Sequence, residues 1–167
     1  MATYKEIRGT QIEAVATDPS NPVEGQVWYN TTSNALKGQA LTATAAWSSG
    51  GTMNTARYVL GGGGSQTAAI AFGGARTPGP NSQAVTELYD GTSWTEVNDL
   101  NTARENLQGG GLSTSAIMGG GSVSPKAQAE SWDGTSWTEV SEINTARTQG
   151  AGAATDNTDG IIFGGVP

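Results

Sequence analysis

The 167-residue chain is acidic, with 15 Asp and Glu against 8 Lys and Arg, and it has neither histidine nor cysteine. Those absences exclude disulfides, Cys/His metal centres, thiol nucleophiles, imidazole bases and Ser-His-Asp triads together, and a net charge of −7 offers no basic stripe to a polynucleotide backbone. The 25 glycines, about twice the usual share, disfavour long helices and suit short strands joined by tight turns, so the expected class is all-β.

Residues 1–35 do not repeat and form an extended N-terminal segment. Met1–Glu6 shows no apolar run after a basic start and does not read as a secretory signal. No apolar stretch is long enough to span a bilayer as a helix, so no membrane insertion is expected. From Asp18 to Ser33 the chain is first turn-rich and stiffened by Pro19 and Pro22. A short strand is predicted over Gln26–Asn30, where Trp28 and Tyr29 are core or staple residues. Asn30-Thr31-Thr32 matches a glycosylation acceptor only formally.

From residue 36 onward the chain is a repeat. Asn-Thr-Ala-Arg occurs three times, ending at Arg57, Arg104 and Arg147, at spacings of 47 and 43 residues. After Arg57, strands are predicted across Tyr58–Gly64 and along the apolar run ending in Gly73-Gly74. Two more follow at Ala84–Tyr89 and Ser93–Val97, with Asp90-Gly91 as a hairpin turn between them. After Arg104 the same series runs Leu107–Leu112, the run ending Met118-Gly119-Gly120, Ala127–Trp132 and Ser136–Val140. Arg147 opens a third series that reaches only Ile161-Ile-Phe163-Gly-Gly165, and Leu36–Trp47 is the candidate for its two missing strands. A unit of this length fits four antiparallel strands.

The recurring residues read as packing elements. Paired glycines let backbones approach closely, Trp94 and Trp137 fill the space between units, and the arginines hydrogen-bond carbonyls. Neither double glycine has the flanking Lys-Ser/Thr of a phosphate loop. Asp156–Gly160 lacks the ligand spacing of a calcium loop and reads as a turn. No metal and no cofactor is expected.

The order Arg104, Gly119-Gly120, Trp132, Trp137, preceded by Arg57, Gly73-Gly74, Tyr89, Trp94, resembles the kelch repeat over roughly residues 40–167. The resemblance implies a kelch-like β-propeller of about three blades' worth, which oligomerisation or a longer array would complete. One departure stands out: the first strand of each unit is poor in large apolar residues. The phrase Pro22-Val-Glu-Gly25-Gln-Val-Trp28-Tyr29-Asn-Thr-Thr resembles segments near the N-termini of phage tail and fibre proteins. That resemblance implies a virion protein in which Pro22, Gly25, Trp28 and Tyr29 dock onto other virion proteins; the alternative for residues 1–35 is a capping strand that covers the first blade. Copper oxidases of the kelch fold need His and a Tyr–Cys crosslink, both missing here, so no enzyme is expected.

The connection between the second and third strands differs most between units, Ala75–Gln83 against Gly121–Lys126. Variable loops on a repeated scaffold are where recognition resides, which makes Arg76, Asn81, Gln83 and Lys126 the candidates for contacting a host-surface glycan or protein. The expected role is a phage tail or tail-fibre protein that attaches to the host by binding. A head-decorating protein and a cellular kelch adaptor are the alternatives.

Overall fold

Every regular element among the described residues of the computed structural model is a β-strand; these residues are 12–22, 25–39, 47, 49–78 and 81–167. The chain divides into two compact units, Met1–Ser48 and Ser49–Pro167.

The first unit holds β1 (Glu13–Val15), β2 (Val27–Asn30) and β3 (Ala35–Gly38), with β2 parallel to β1 and antiparallel to β3. The β2–β3 turn is set by Asn30, whose side-chain oxygen accepts the amides of Thr32 (3.0 Å) and Ser33 (2.8 Å), and by Asn34 at φ 51°. This short closure costs little chain entropy. It is why residues 36–38, assigned from sequence to the repeat, pair with β2 instead. Residues 40–46 of the same candidate lie outside the described residues.

The second unit carries the repeat. β4 (Gly61–Ser65), β5 (Ala68–Phe72), β8 (Thr86–Tyr89) and β9 (Trp94–Val97) form one antiparallel sheet in that order, with a small ribbon, β6 (Ala75–Arg76) and β7 (Asn81–Ser82), in the β5–β8 connection. β10 (Gln108–Leu112), β11 (Ser115–Gly119), β12 (Ala129–Trp132) and β13 (Trp137–Val140) build the second sheet in the same way. β14 (Thr148–Ala153) and β15 (Ile161–Val166) make a two-stranded third. Each predicted strand of the two full units is present, within a few residues of its predicted ends. The Asp-Gly turns close the last hairpin of each: Asp90 Oδ1 accepts the amides of Thr92 and Ser93, and Asp133 Oδ1 those of Thr135 and Ser136, all at 2.8 Å. These amides hold both carboxyls below the usual aspartate range.

The register corrects one reading. Phe72 pairs with Gly61 and Thr86, and Gly119 with Gln108 and Ala129, so Gly119 stands where Phe72 stands. The equivalent doublets are therefore Gly73-Gly74 and Gly120-Gly121, not Gly119-Gly120. All four have left-handed φ, at 64°, 102°, 76° and 113°. A run of three glycines hides its register in the letters; what fixes it is Arg104, which donates to the Gly120 carbonyl as Arg57 does to that of Gly73.

The glycine-rich first strands have a steric cause. A Cβ on Gly63 would lie 2.5 Å from the Gly111 carbonyl oxygen, one on Gly110 2.7 Å from the Ala154 nitrogen, and one on Gly152 2.6 Å from the Gly109 nitrogen. β4, β10 and the β14 region thus meet backbone to backbone, with no room for the apolar side chains whose scarcity the sequence showed. The apolar core lies further out, where Ile70, Phe72, Leu100 and Leu107 meet Ala116, Met118, Trp132 and Trp137.

Candidate functional site

The most heavily built polar arrangement is a clasp that occurs in each full repeat. Strand β8 brings in Glu87, fully buried, whose carboxylate accepts the backbone amides of Asn54 (2.7 Å) and Thr55 (3.2 Å) and faces Arg57 Nη2 at 3.0 Å. Arg57 Nη1 also donates to the carbonyls of Gly73 (2.7 Å) and Val85. Burial pulls the Arg57 guanidinium down from the usual arginine range, and Glu87 opposes that pull. In the next repeat Glu130, equally buried, accepts the amides of Asn101 (2.8 Å) and Thr102 (3.3 Å) and the Asn101 side-chain amide (2.9 Å). Arg104 is turned away and spends Nη1 on the carbonyls of Gly120, Val123 and Pro125. Asn54 and Asn101 then reach the carbonyls of Trp94 and Trp137, at 2.7 and 3.0 Å. The predicted arginine–carbonyl bonds are present, including Arg147 to Gly164 at 2.8 Å.

Glu87 and Glu130 escaped the sequence reading although a signal was there. Each stands two residues before the aromatic that precedes Asp-Gly, at the 43-residue spacing of the Gly-Thr-Ser-Trp copies. A carboxylate is easily read as a solvated face unless its recurrence is noticed.

The two repeat tryptophans share one local setting. Trp94 pairs across strands with Tyr89, ring centroids 5.1 Å apart, and Trp137 with Trp132 at 5.5 Å. They differ in what lies behind them. Trp137 is buried, stands edge-on to Phe72 at 5.0 Å and donates its indole N–H to Thr86 Oγ1 at 2.9 Å. Trp94 is half-buried and donates to the Gly51 carbonyl at 3.0 Å.

The loop candidates fall into two groups. Arg76 and Asn81 are exposed and pair across the β6–β7 ribbon. Gln83 stands beside them but is half-buried; its amide donates to the Asn81 and Ser82 carbonyls, and its backbone bridges to Arg104. Lys126 is exposed in the equivalent connection of the second sheet. With the corrected register, the whole four-residue difference between the repeats falls in this connection.

In the first unit Trp28 is buried within its own sheet, and Tyr29 and Pro22 are half-buried; Gly25 is exposed at φ 78°. Asp18, itself exposed, gathers side-chain hydrogen bonds in that unit: it accepts the Trp28 indole N–H (2.9 Å) and the Asn30 side-chain amide (2.6 Å) on Oδ1, and Lys37 Nζ on Oδ2 (2.6 Å). The bond from Lys37 first, then those from Trp28 and Asn30, lower its pKa from 3.8 to about 2. A carboxyl whose folded pKa is depressed stabilises above its unfolded pKa and loses that contribution as pH falls through the folded one. The Trp28 indole N–H resonance is thus expected to keep its native position at neutral pH and to move with a midpoint near pH 2, and Asp18→Asn is expected to remove that step. NMR titration checks it.

The Asp156–Gly160 turn is satisfied internally: Asp159 accepts the Thr155 amide and hydroxyl, and Asp156 the Thr158 amide. Among the described residues, no three His, Cys, Asp or Glu side chains converge as metal ligands. Fold and clasp together define an all-β repeat protein. No protein family and no curated protein matches the sequence.

Proposed function

We propose that this chain is a structural protein of a phage particle, placed in the tail or tail fibre, which assembles and attaches by binding rather than by catalysis. In this reading the sheets are kelch-like blades of an incomplete propeller that oligomerises or joins a longer array, and the N-terminal segment docks it onto other virion proteins. The observation that carries the reading is how the polar residues are divided. The recurring ones are consumed by the clasp, while the difference between repeats gathers in the β5–β8 and β11–β12 connections, where Arg76, Asn81 and Lys126 are exposed. A scaffold held constant beneath variable exposed loops suits recognition of a host-surface glycan or protein. The buried Trp28 acts in this scheme as the strut of the docking segment rather than as its contact surface. Immunogold electron microscopy of purified particles tests the proposal. Label along the tail or fibre is the expected result; label confined to the capsid would make this a head protein, and no label on any particle would overturn the reading.

A further inference from the structure

The two full repeats share their residues at the clasp but not their bonds. In the first, Glu87 Oε1 accepts both the Thr55 amide and Arg57 Nη2. In the second, among the described residues, Glu130 Oε1 receives only the Thr102 amide, at 3.3 Å. The Asn101 side chain instead donates to Oε2 beside its own backbone amide, and also reaches the Trp137 carbonyl. Its counterpart Asn54 gives its side chain to the Trp94 carbonyl. The donors left over are on Arg104. That residue is 0% exposed, yet its Nε and Nη2 meet no partner among the described residues. Leaving a buried charged donor without an acceptor is costly. Burial lowers the Arg104 pKa and Glu130 is the foremost charge opposing it, which places the two within electrostatic reach.

The connections explain the difference. The β5–β8 connection is four residues longer than its counterpart and pairs with itself as the β6–β7 ribbon, which leaves Arg57 free for Glu87. The β11–β12 connection forms no ribbon. Its base is pinned by the Ser122 amide on the Glu105 carbonyl and by the Ser122 hydroxyl, which meets Asn106 and Thr148. Its tip, residues 123–126, is held by Arg104 Nη1 through the carbonyls of Val123 (3.1 Å) and Pro125 (3.0 Å), the latter also accepting the Gln128 amide at 3.3 Å.

We propose that Arg104 is a two-position latch for the strap formed by residues 123–126. In the closed position, the one in this structure, Nη1 holds the strap. In the open position the strap lifts about its pinned base and Nη2 pairs with Glu130 Oε1. The Asn101 side chain then keeps only the Trp137 carbonyl, and the bonds of the first repeat are reproduced. The exchange gives up carbonyl bonds for an ion pair in a site sealed from solvent, and the first repeat shows that the scaffold accommodates the product. Lys126, exposed at the end of the strap, is the handle by which a ligand would draw it up. The Arg104 backbone also donates to the Gln83 carbonyl and accepts the Gly74 amide, so the latch stands between both variable connections. The inference rests on the binding role proposed above only in taking the open strap as the ligand-bound one.

NMR relaxation dispersion on the full chain tests it, since a strap moving between two positions exchanges on the microsecond to millisecond scale. Exchange is expected at the amides of Val123, Ser124 and Lys126. Asn101→Ala, at an exposed position, removes the competitor for Glu130 and is expected to roughly double the exchange contribution. Glu130→Gln removes the anionic partner and is expected to roughly halve it, whereas Glu87→Gln, the matched change in the other repeat, leaves it unaltered. No exchange at these amides in the unmodified chain, or the same exchange in Asn101→Ala, would overturn the proposal whether or not Glu130→Gln folds. So would equal effects of Glu87→Gln and Glu130→Gln. The measurement needs neither particle nor ligand, so its failure leaves the labelling experiment unaffected.

Discussion

Trp137→Ala is expected to destabilise the 49–167 unit by about 3–5 kcal/mol, the range for emptying a buried tryptophan site. The side chain is 5% exposed, and its removal strips Phe72 of its ring partner and leaves the buried Thr86 hydroxyl without the indole donor. The matched change Trp94→Ala is expected to cost only about 1 kcal/mol, because that ring is half-buried and, among the described residues, has a single aromatic neighbour. Urea denaturation of the two variants measures the difference directly. Two residues drawn from seven identical letters, Gly-Thr-Ser-Trp-Thr-Glu-Val, should therefore give unequal penalties, and the inequality reports the contact between sheets rather than the hairpin itself.

The second large effect is expected from Glu87→Gln, at about 3 kcal/mol, the lower end for breaking a buried ion pair from one side. Both side chains of the Arg57–Glu87 pair are fully sealed from solvent. The loss comes less from the attraction removed than from the charge stranded: Arg57 stays ionised, and the three carbonyls it meets do not neutralise it. Arg57→Met in the same background is expected to recover part of the loss, since it removes the stranded charge. If the double variant is no more stable than Glu87→Gln, the charge argument fails.

These energetics clarify what the sequence disclosed. Strand positions in the two full repeats were legible because Asp-Gly turns, alternating apolar residues and the 43-residue copy agree with one another. The clasp was half legible: three identical arginines announced a structural role, but the carboxylates that receive the Asn-Thr amides ahead of the first two come from a strand some thirty residues on, a distance that no local pattern spans. The triple glycine at 119–121 misled by one position, because glycine leaves no side chain to mark a face. The missing bulk in the first strands, a departure from the kelch pattern when read as letters, became intelligible only through contacts between strands far apart in the chain, Gly63 with Gly111 and Gly109 with Gly152. The fate of residues 36–38 was decided by a local turn at Asn30 outcompeting a distant pairing, which the repeat pattern alone did not anticipate. Exposed loop residues were the least legible part. Arg76 and Gln83 looked equivalent as polar letters, yet one is free on a ribbon and the other is tied to backbone carbonyls.

A repeat locked this way behaves as a module whose stability depends on its own third strand and on the sheet before it. Within the 49–167 unit, and among the described residues, only the second repeat has both its own third strand and a sheet packed before it, so it should be the most resistant to opening. That ordering agrees with the burial of the aromatic pairs: Trp132 and Trp137 are buried, whereas their counterparts Tyr89 and Trp94 are only half-buried.

Amide hydrogen exchange at six backbone sites tests whether the carboxylate clasps hold the repeats. In the isolated chain, the amides of Asn54, Thr55, Asn101 and Thr102, each bonded to a buried glutamate, are expected to exchange slowly, and those of Asn144 and Thr145 fast. In Glu87→Gln the first two should lose protection while the second two keep it. Six amides that exchange at one common rate, with no response to Glu87→Gln, would contradict the account.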